Sequence, residues 1–279
     1  MTTNEVEHAV IIDRLQAISD IIDEPDEFLL PINGYEQLPL VLLETAVEEL
    51  VDILPTIKTY THMAKEKCQQ PIDGLSQDES AAIMLYTMGW QPHEQCLYFT
   101  LNSTLRTAIR QKLKPWLLYL KLLLHGLTRL PKISATVYRY VRTDLRQQYL
   151  MGKTIIWWAF STCTKALNSL QTEDHLGQIG SRTLFIIDCE TGRDISQHTF
   201  FSSSNEILLM AATQFQVIDC LDQGDLFIVR MKETQPIYPL LQPVIQLLPP
   251  ISRSNDLFDP SILYKILKTN QISCIFFKL

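Results

Sequence analysis

The feature that most constrains this chain is a change in the spacing of its apolar residues at Pro131. Before Pro131 they recur every three to four positions, as in a helix with one buried face. After it they recur at about every second position, as in a strand. Leu43, Ala46, Val47, Leu50 and Leu54 fall on one helical face and Glu44, Glu48, Glu49 and Asp52 on the other, up to Pro55. Ser76 and Glu79 form a capping-box signature that predicts a helix through about Met88. Leu97–Arg110 reads as another helix, and Pro115 suits the first turn of an apolar one over Trp116–Leu127. Strands are predicted at Thr136–Val141, Thr154–Phe160, Arg182–Ile187, Glu206–Met210, Gln214–Ile218 and Leu226–Met231. Turn signals stand at Glu190-Thr191-Gly192 and Asp222-Gln223-Gly224, and a short helix is expected over Lys165–Leu170. The pattern predicts an α+β fold, helical first and strand-rich second. The expected division is an acidic helical lead at 1–74, a core domain at 75–248 and a tail at 249–279, opening on Pro249-Pro250.

A net charge of −7 argues against general nucleic-acid binding, but it hides an asymmetry. Residues 1–50 hold twelve Asp/Glu and one cation, Arg14. From Cys96 to Arg142 there is no carboxylate and there are nine Lys/Arg. Such a stretch can draw in a phosphate-bearing ligand, but composition favours its facing the acidic N-terminal segment. The six cysteines are nowhere closer than 26 positions, so no Cys-x-x-Cys pair and no disulfide framework is marked. The longest apolar stretch, Trp116–Leu124, is broken by Lys121 and is too short to span a bilayer. No basic segment followed by an apolar one marks a secretory signal, so a cytoplasmic protein is expected.

The sequence has no Walker loop, no Gly-x-Ser-x-Gly elbow, no Gly-x-Gly-x-x-Gly and no His-Glu-x-x-His. What carries chemistry is an ordered trio in the strand-rich half. Val137-Tyr138-Arg139-Tyr140-Val141 places an arginine in mid-strand, and Trp157-Trp158-Ala159-Phe160 runs into the hydroxyl cluster Ser161-Thr162-Cys163-Thr164. Phe200-Phe201-Ser202-Ser203-Ser204-Asn205 leads to Glu206 at the head of a strand. Each has a plainer reading alone: a solvated strand arginine, the N-cap of the next helix, a solvated strand end.

Taken in order, the three resemble the arginine-specific mono-ADP-ribosyltransferases. Their marks are an aromatic-Arg-Gly strand, a Phe-x-Ser-Thr-Ser strand end and a Glu-x-Glu loop. The resemblance runs over roughly Leu75 to Pro239, including Leu113-Lys114-Pro115-Trp116, Gly152-Lys153-Thr154, Arg182-Thr183-Leu184-Phe185 and Gln214-Phe215-Gln216-Val217. It implies a two-sheet core with the site where the sheets meet. NAD or NADP would be a substrate, no metal would be needed, and the partner would be an acceptor protein. Arg139 would hold the pyrophosphate, and the hydroxyl after Phe160 would brace Arg139 and Glu206. Motif counting assigns that role to Thr162; residue identity favours Ser161. Glu206 would stabilise the cation formed as nicotinamide leaves. The loop Gln171–Arg182 would cover the ligand.

The chain departs from the family pattern at four positions. Tyr140 replaces the glycine after the arginine, Ser204 replaces the first glutamate on the acceptor side, His175 stands for a stacking aromatic, and Met210 for a proline. Two rival readings follow from these departures: an NAD glycohydrolase, and a non-catalytic member that binds a nucleotide or a protein.

Overall fold

The computed structural model describes residues 24–25, 27–166, 180–200 and 205–244. The expected helix at Lys165–Leu170 and the tail at 249–279 fall largely or wholly outside them. Among the described residues, five α-helices precede seven strands: α1 (Leu43–Ala46), α2 (Ile57–Lys67), α3 (Gln77–Thr87), α4 (Leu97–Leu105) and α5 (Leu117–Arg129). The face formed by Leu43, Ala46, Val47, Leu50 and Leu54 is buried as the periodicity requires. The chain buries it with α1 and a separate 3₁₀ turn at Glu48–Leu50, not with one continuous helix. Glu44/Glu48 and Glu48/Asp52 are like-charge pairs one turn apart, which oppose a longer helix. Helix α2 has no counterpart in the periodicity because its buried face is thin: Ile57, Thr61 and Ala64. Arg110–Trp116, expected as the end of one helix and the start of another, is 3₁₀ and leads into α5.

The capping box closes as the sequence implies. The Glu79 N–H donates to Ser76 Oγ at 3.2 Å, and the Ser76 N–H donates to Glu79 Oε2 at 2.6 Å. Helix α3 is buried from Glu79 to Thr87 and packs against α5. Gly126 permits that approach, since a Cβ there would stand 3.2 Å from the Glu79 Cβ and 3.3 Å from its carbonyl oxygen. Helices α1–α5 share one apolar core with Trp158–Phe160 and Leu208.

The strands are β1 (Lys132–Val141), β2 (Thr154–Trp157), β3 (Ser161–Thr164), β4 (Arg182–Asp194), β5 (Glu206–Leu209), β6 (Thr213–Gln223) and β7 (Leu226–Thr234). They hydrogen-bond in the order β1-β3-β5-β4-β7-β6-β2, with an extra pairing of β1 to β4. Every pairing is antiparallel except β4 with β7. The hydrogen bonding thus gives one continuous seven-stranded sheet where two sheets were expected. Strand β4 is the link, pairing with β1 and β7 along its length and with β5 at its end. Strands β1, β3, β5 and β4 thereby form a closed circuit. A second apolar core, including Val137, Cys163, Phe185, Ile207, Phe215 and Val229, draws on six of the strands and is joined by Trp157 of β2.

Glu190-Thr191-Gly192 is not a turn but lies within β4. The register steps from Ala135↔Cys189 to Ile133↔Gly192, which sets two β4 residues against one of β1 and makes a bulge. The Glu233 carboxylate accepts the Glu190 N–H at 2.6 Å, the Thr191 N–H at 3.0 Å and the Thr191 hydroxyl at 2.6 Å. A side chain from β7 thus supplies partners to backbone groups that the bulge removes from the ladder. Ser161–Thr164, expected to end one strand, is a strand in its own right. By contrast, the turn expected at Asp222-Gln223-Gly224 exists but is tighter: Asp222 and Gln223 still pair in β6, and the chain reverses at Gly224-Asp225, with Gly224 at φ +75°.

Within the described residues, the acidic segment and the carboxylate-free stretch do meet. Arg106 Nε pairs with Glu24 Oε1 at 2.7 Å, both side chains being nearly sealed from solvent. Glu24 Oε2 also accepts the Trp158 N–H at 2.8 Å. Two further cations of the stretch donate to carbonyls in the N-terminal part, Arg110 to Leu30 and Lys121 to Glu36. Glu79 gathers Arg129 at 2.8 Å and His125 at 2.5 Å. Burial pushes the Glu79 carboxyl upward, but the hydrogen bonds from Ser76, His125 and Arg129 outweigh it and hold its pKa below the usual value. A lowered folded-state pKa gives stability that is complete above the unfolded value of about 4.3 and is lost as pH falls through the folded value. Glu79→Gln should therefore cost about 1–3 kcal/mol at pH 7. The gap to wild type should narrow on acidification below about pH 4, as read from urea midpoints at both pH values.

Candidate active site

Backbone pairing brings the three sequence motifs together. Strand β3 lies between β1 and β5. Tyr138 of β1 is opposite Thr164 of β3, and Thr164 is opposite Glu206 of β5. Arg139 Nη1 donates to the Thr162 carbonyl at 2.7 Å, which ties the arginine strand to the hydroxyl strand. Arg139, Tyr140, Ser161, Thr162, Thr164 and Glu206 are all buried, and neither Arg139 nor Glu206 points into bulk solvent.

Strand alternation sorts the hydroxyls. Residues directly opposite in an antiparallel pair share a face, as do residues two apart. Thr164 therefore shares a face with Glu206, and Thr162 with Thr164 and Leu208. Ser161 projects the other way, with Cys163, whose core also holds Ile207 and Leu209. The buried Ser161 Oγ has no hydrogen-bond partner among the described residues. Of the two candidates, Thr162 is the one on the face of Glu206. Thr164 is a further hydroxyl that sequence reading passed over; its signal was the last position of the hydroxyl run. Arg139 shares a face with Val137 and Val141, the side of Cys163 and opposite to that of Thr162 and Glu206. Burial pushes the Cys163 thiol up to about 12, with Arg139 pulling it down, so Cys163 stays a neutral thiol rather than a nucleophile.

Tyr140 is buried opposite Leu184. Burial raises its phenol pKa, while Arg182 and Arg142 pull the other way. His175, Ser204 and residues 171–179 of the covering loop lie outside the described residues. Met210 follows β5 directly, and its carbonyl accepts the Thr213 hydroxyl at 2.6 Å.

Arg193 also stands beside this site, and nothing in the sequence marks it, since it directly follows the turn signal Glu190-Thr191-Gly192. It is buried at the end of β4, opposite Leu208 of β5 and Lys132 of β1. Its Nε and Nη1 have no hydrogen-bond partner among the described residues. Burial lowers its pKa, and Glu233 pulls it back up. Among the described residues no group of His, Cys, Asp and Glu is arranged to hold a metal ion. No described helix is long and apolar enough to cross a membrane.

No curated protein matches the sequence. Among solved structures, the chain is similar to the ADP-ribosyltransferase HopU1 of Pseudomonas syringae pv. tomato, at 23% identity over 57% of this chain and 78% of that one, with TM-score 0.47. It is similar to the Vis toxin of Vibrio splendidus at 17% identity, over 72% of this chain and 90% of that one, with TM-score 0.46. For the eukaryotic mono-ADP-ribosyltransferase ART2.2 the figures are 16% identity, 78% and 96% coverage, and TM-score 0.49. The family model for NAD:arginine ADP-ribosyltransferases matches residues 43–236, more than half of the chain. With its helices leading into a strand-rich core, the chain belongs to that family of NAD-using ADP-ribosyltransferases.

Proposed function

We propose that this chain cleaves NAD between nicotinamide and ribose and transfers the ADP-ribose to a protein side chain, arginine by family default. The observation that supports the reading is the adjacency of β1, β3 and β5, which brings the backbones of Arg139, Thr162 and Glu206 side by side from three distant segments, with Arg139 on the face of Cys163 and Thr162 and Glu206 on the other. In this reading Arg139 binds the pyrophosphate, because a planar guanidinium matches phosphate oxygens in pairs. Its bond to the Thr162 carbonyl holds the fork in place before the ligand arrives. As the glycosidic bond breaks, its electron pair leaves with nicotinamide and positive charge develops on the ribose. The Glu206 carboxylate, buried at the head of β5, stabilises that charge more than a solvated one would. Thr162 and Thr164, on its face, orient the carboxylate. The acceptor nitrogen then bonds to the ribose carbon and gives up a proton.

A second reading, NAD hydrolysis with water as acceptor, is favoured by one feature. Ser204 stands where the family has the glutamate that polarises the acceptor guanidinium, and it brings no negative charge.

Glu206→Gln should lower nicotinamide release by about 10²- to 10³-fold, the size of effect seen on losing one preorganised electrostatic partner. Its affinity for NAD should stay near wild type in calorimetry, whereas Arg139→Ala should weaken NAD binding itself; equal turnover by wild type and Glu206→Gln rules the mechanism out. Thr162→Val and Thr164→Val should each slow release about tenfold, the cost of one hydrogen bond of about 1.4 kcal/mol. Ser161→Ala should have little effect, and a larger loss at Ser161 than at Thr162 would reverse the assignment of faces. Finally, wild type should hydrolyse NAD faster than it labels agmatine, and Ser204→Glu should gain agmatine labelling. Efficient labelling by wild type would show that the missing carboxylate is not required.

A further inference from the structure

Strand register leaves one aromatic residue beside Glu206 that the proposed reaction does not use. Tyr138 of β1 lies opposite Thr164, and Thr164 opposite Glu206, so the three share a face. Tyr140 stands two positions on from Tyr138 and projects from that same face, with Leu184 of β4 directly opposite it. Arg139, between the two tyrosines, projects from the other face. The family pattern has a glycine at this position, which presents no side chain at all; here a phenol ring stands in its place.

Among the described residues, the surroundings of Glu206 are closed on one side and half-open on the other. Leu208, two positions along β5, and Ile195, whose N–H donates to the Glu206 carbonyl at 3.0 Å, are both sealed in the core shared with the helices. On the other side Tyr138, Leu184 and Ile186 are half-buried. A ligand that brings a ribose to the Glu206 carboxylate therefore lies over β1 and β4, the surface that carries Tyr140. At 3% exposure Tyr140 is more buried than Tyr138 and Leu184 beside it. Its ring is thus already covered by the protein, and no face of it is left for a ligand ring to stack on. Burial raises the phenol pKa, with Arg182 and Arg142 acting against it, so the ring stays neutral.

We propose that Tyr140 restricts entry to the candidate site: its ring fills space beside Glu206 that the nicotinamide end of NAD has to take, so NAD binds only when the ring has swung aside. The inference rests on the reading above, in which Glu206 meets the nicotinamide ribose. Turning a buried aromatic ring out into water leaves the binding-competent form populated roughly one time in 10 to 100. The apparent affinity for NAD falls by that same factor. A ligand that stops short of the second ribose, such as ADP, does not need the ring to move.

Tyr140→Val, Tyr140→Gly and Tyr140→Phe should be compared with the parent in the full chain. Binding of NAD and of ADP is read by calorimetry in the Glu206→Gln background, where NAD is consumed slowly, and nicotinamide release is read with Glu206 intact. Valine is small yet suits a strand, so it removes the ring without the backbone freedom that glycine adds. Tyr140→Val and Tyr140→Gly should bind NAD about 10- to 100-fold more tightly, with affinity for ADP unchanged and a lower KM for NAD. Tyr140→Phe, which keeps the ring, should match the parent. A folded Tyr140→Val or Tyr140→Gly that binds NAD no more tightly than the parent would overturn the restriction. An equal gain for NAD and ADP would overturn it too, since a general loosening of the site moves both. Tighter NAD binding by Tyr140→Val, with no nicotinamide released by any form, would instead refute the cleavage reading and leave the restriction standing.

Discussion

The backbone N–H and C=O groups of Ser161–Thr164 are buried, and buried peptide groups need partners. They find them in β1 on one side and β5 on the other. Were these four residues to end in a helix cap, as their hydroxyls suggest, β1 and β5 would lose the strand that joins them. Arg139 would then lose the Thr162 carbonyl, and Glu206 the partner that fixes its position. The geometry of the candidate site thus follows from main-chain pairing, and the side chains are placed by its register. A one-residue slip of β3 would exchange Thr162 for Ser161 on the face of Glu206.

The helical part supports this arrangement by handling buried charge economically. Glu24 serves Arg106 and the Trp158 N–H together, so one carboxylate satisfies a cation from the helical part and the backbone just ahead of β3. Glu79 combines a helix cap with an ion pair to Arg129 and a contact to His125. Both are cases in which an isolated charge would be costly and a shared one is not. Asn102 does similar work for neutral groups, donating to the Phe160 carbonyl at 3.2 Å immediately before β3 begins.

At the far end of the circuit the same economy breaks down. The bulge at Glu190-Thr191 is capped by Glu233, which is thereby occupied with backbone groups. Arg193, two residues beyond the bulge, gains some electrostatic support from Glu233 but no hydrogen bond to Nε or Nη1 among the described residues. A bulge shifts every later side chain to the opposite face, and this one turns Gly192 toward Ile207 and Cys189, where no larger residue fits. Arg193 is carried to the other face, that of Leu208 and Glu206.

By itself, the sequence determined that helices precede strands, the capping box at Ser76 and Glu79, and which residues are candidates for the site. Each of these depends on neighbours within a few positions: the period of apolar residues, a hydroxyl and a carboxylate three apart, an arginine amid aromatics. The fate of Leu43–Leu54 was half legible, since the buried face was right and its division by a 3₁₀ turn was not. Tertiary structure alone decided that Thr162 and Thr164, and not Ser161, face with Glu206, because a face is assigned only once a strand has a register. It also decided that Glu190-Thr191-Gly192 extends β4, since a turn signal yields when a distant carboxylate, here Glu233, takes up the freed N–H groups. His198 shows the limit most clearly. Nothing near it in sequence marks it as buried, and its polar contacts are with Ser80 and Asp73, more than a hundred positions away.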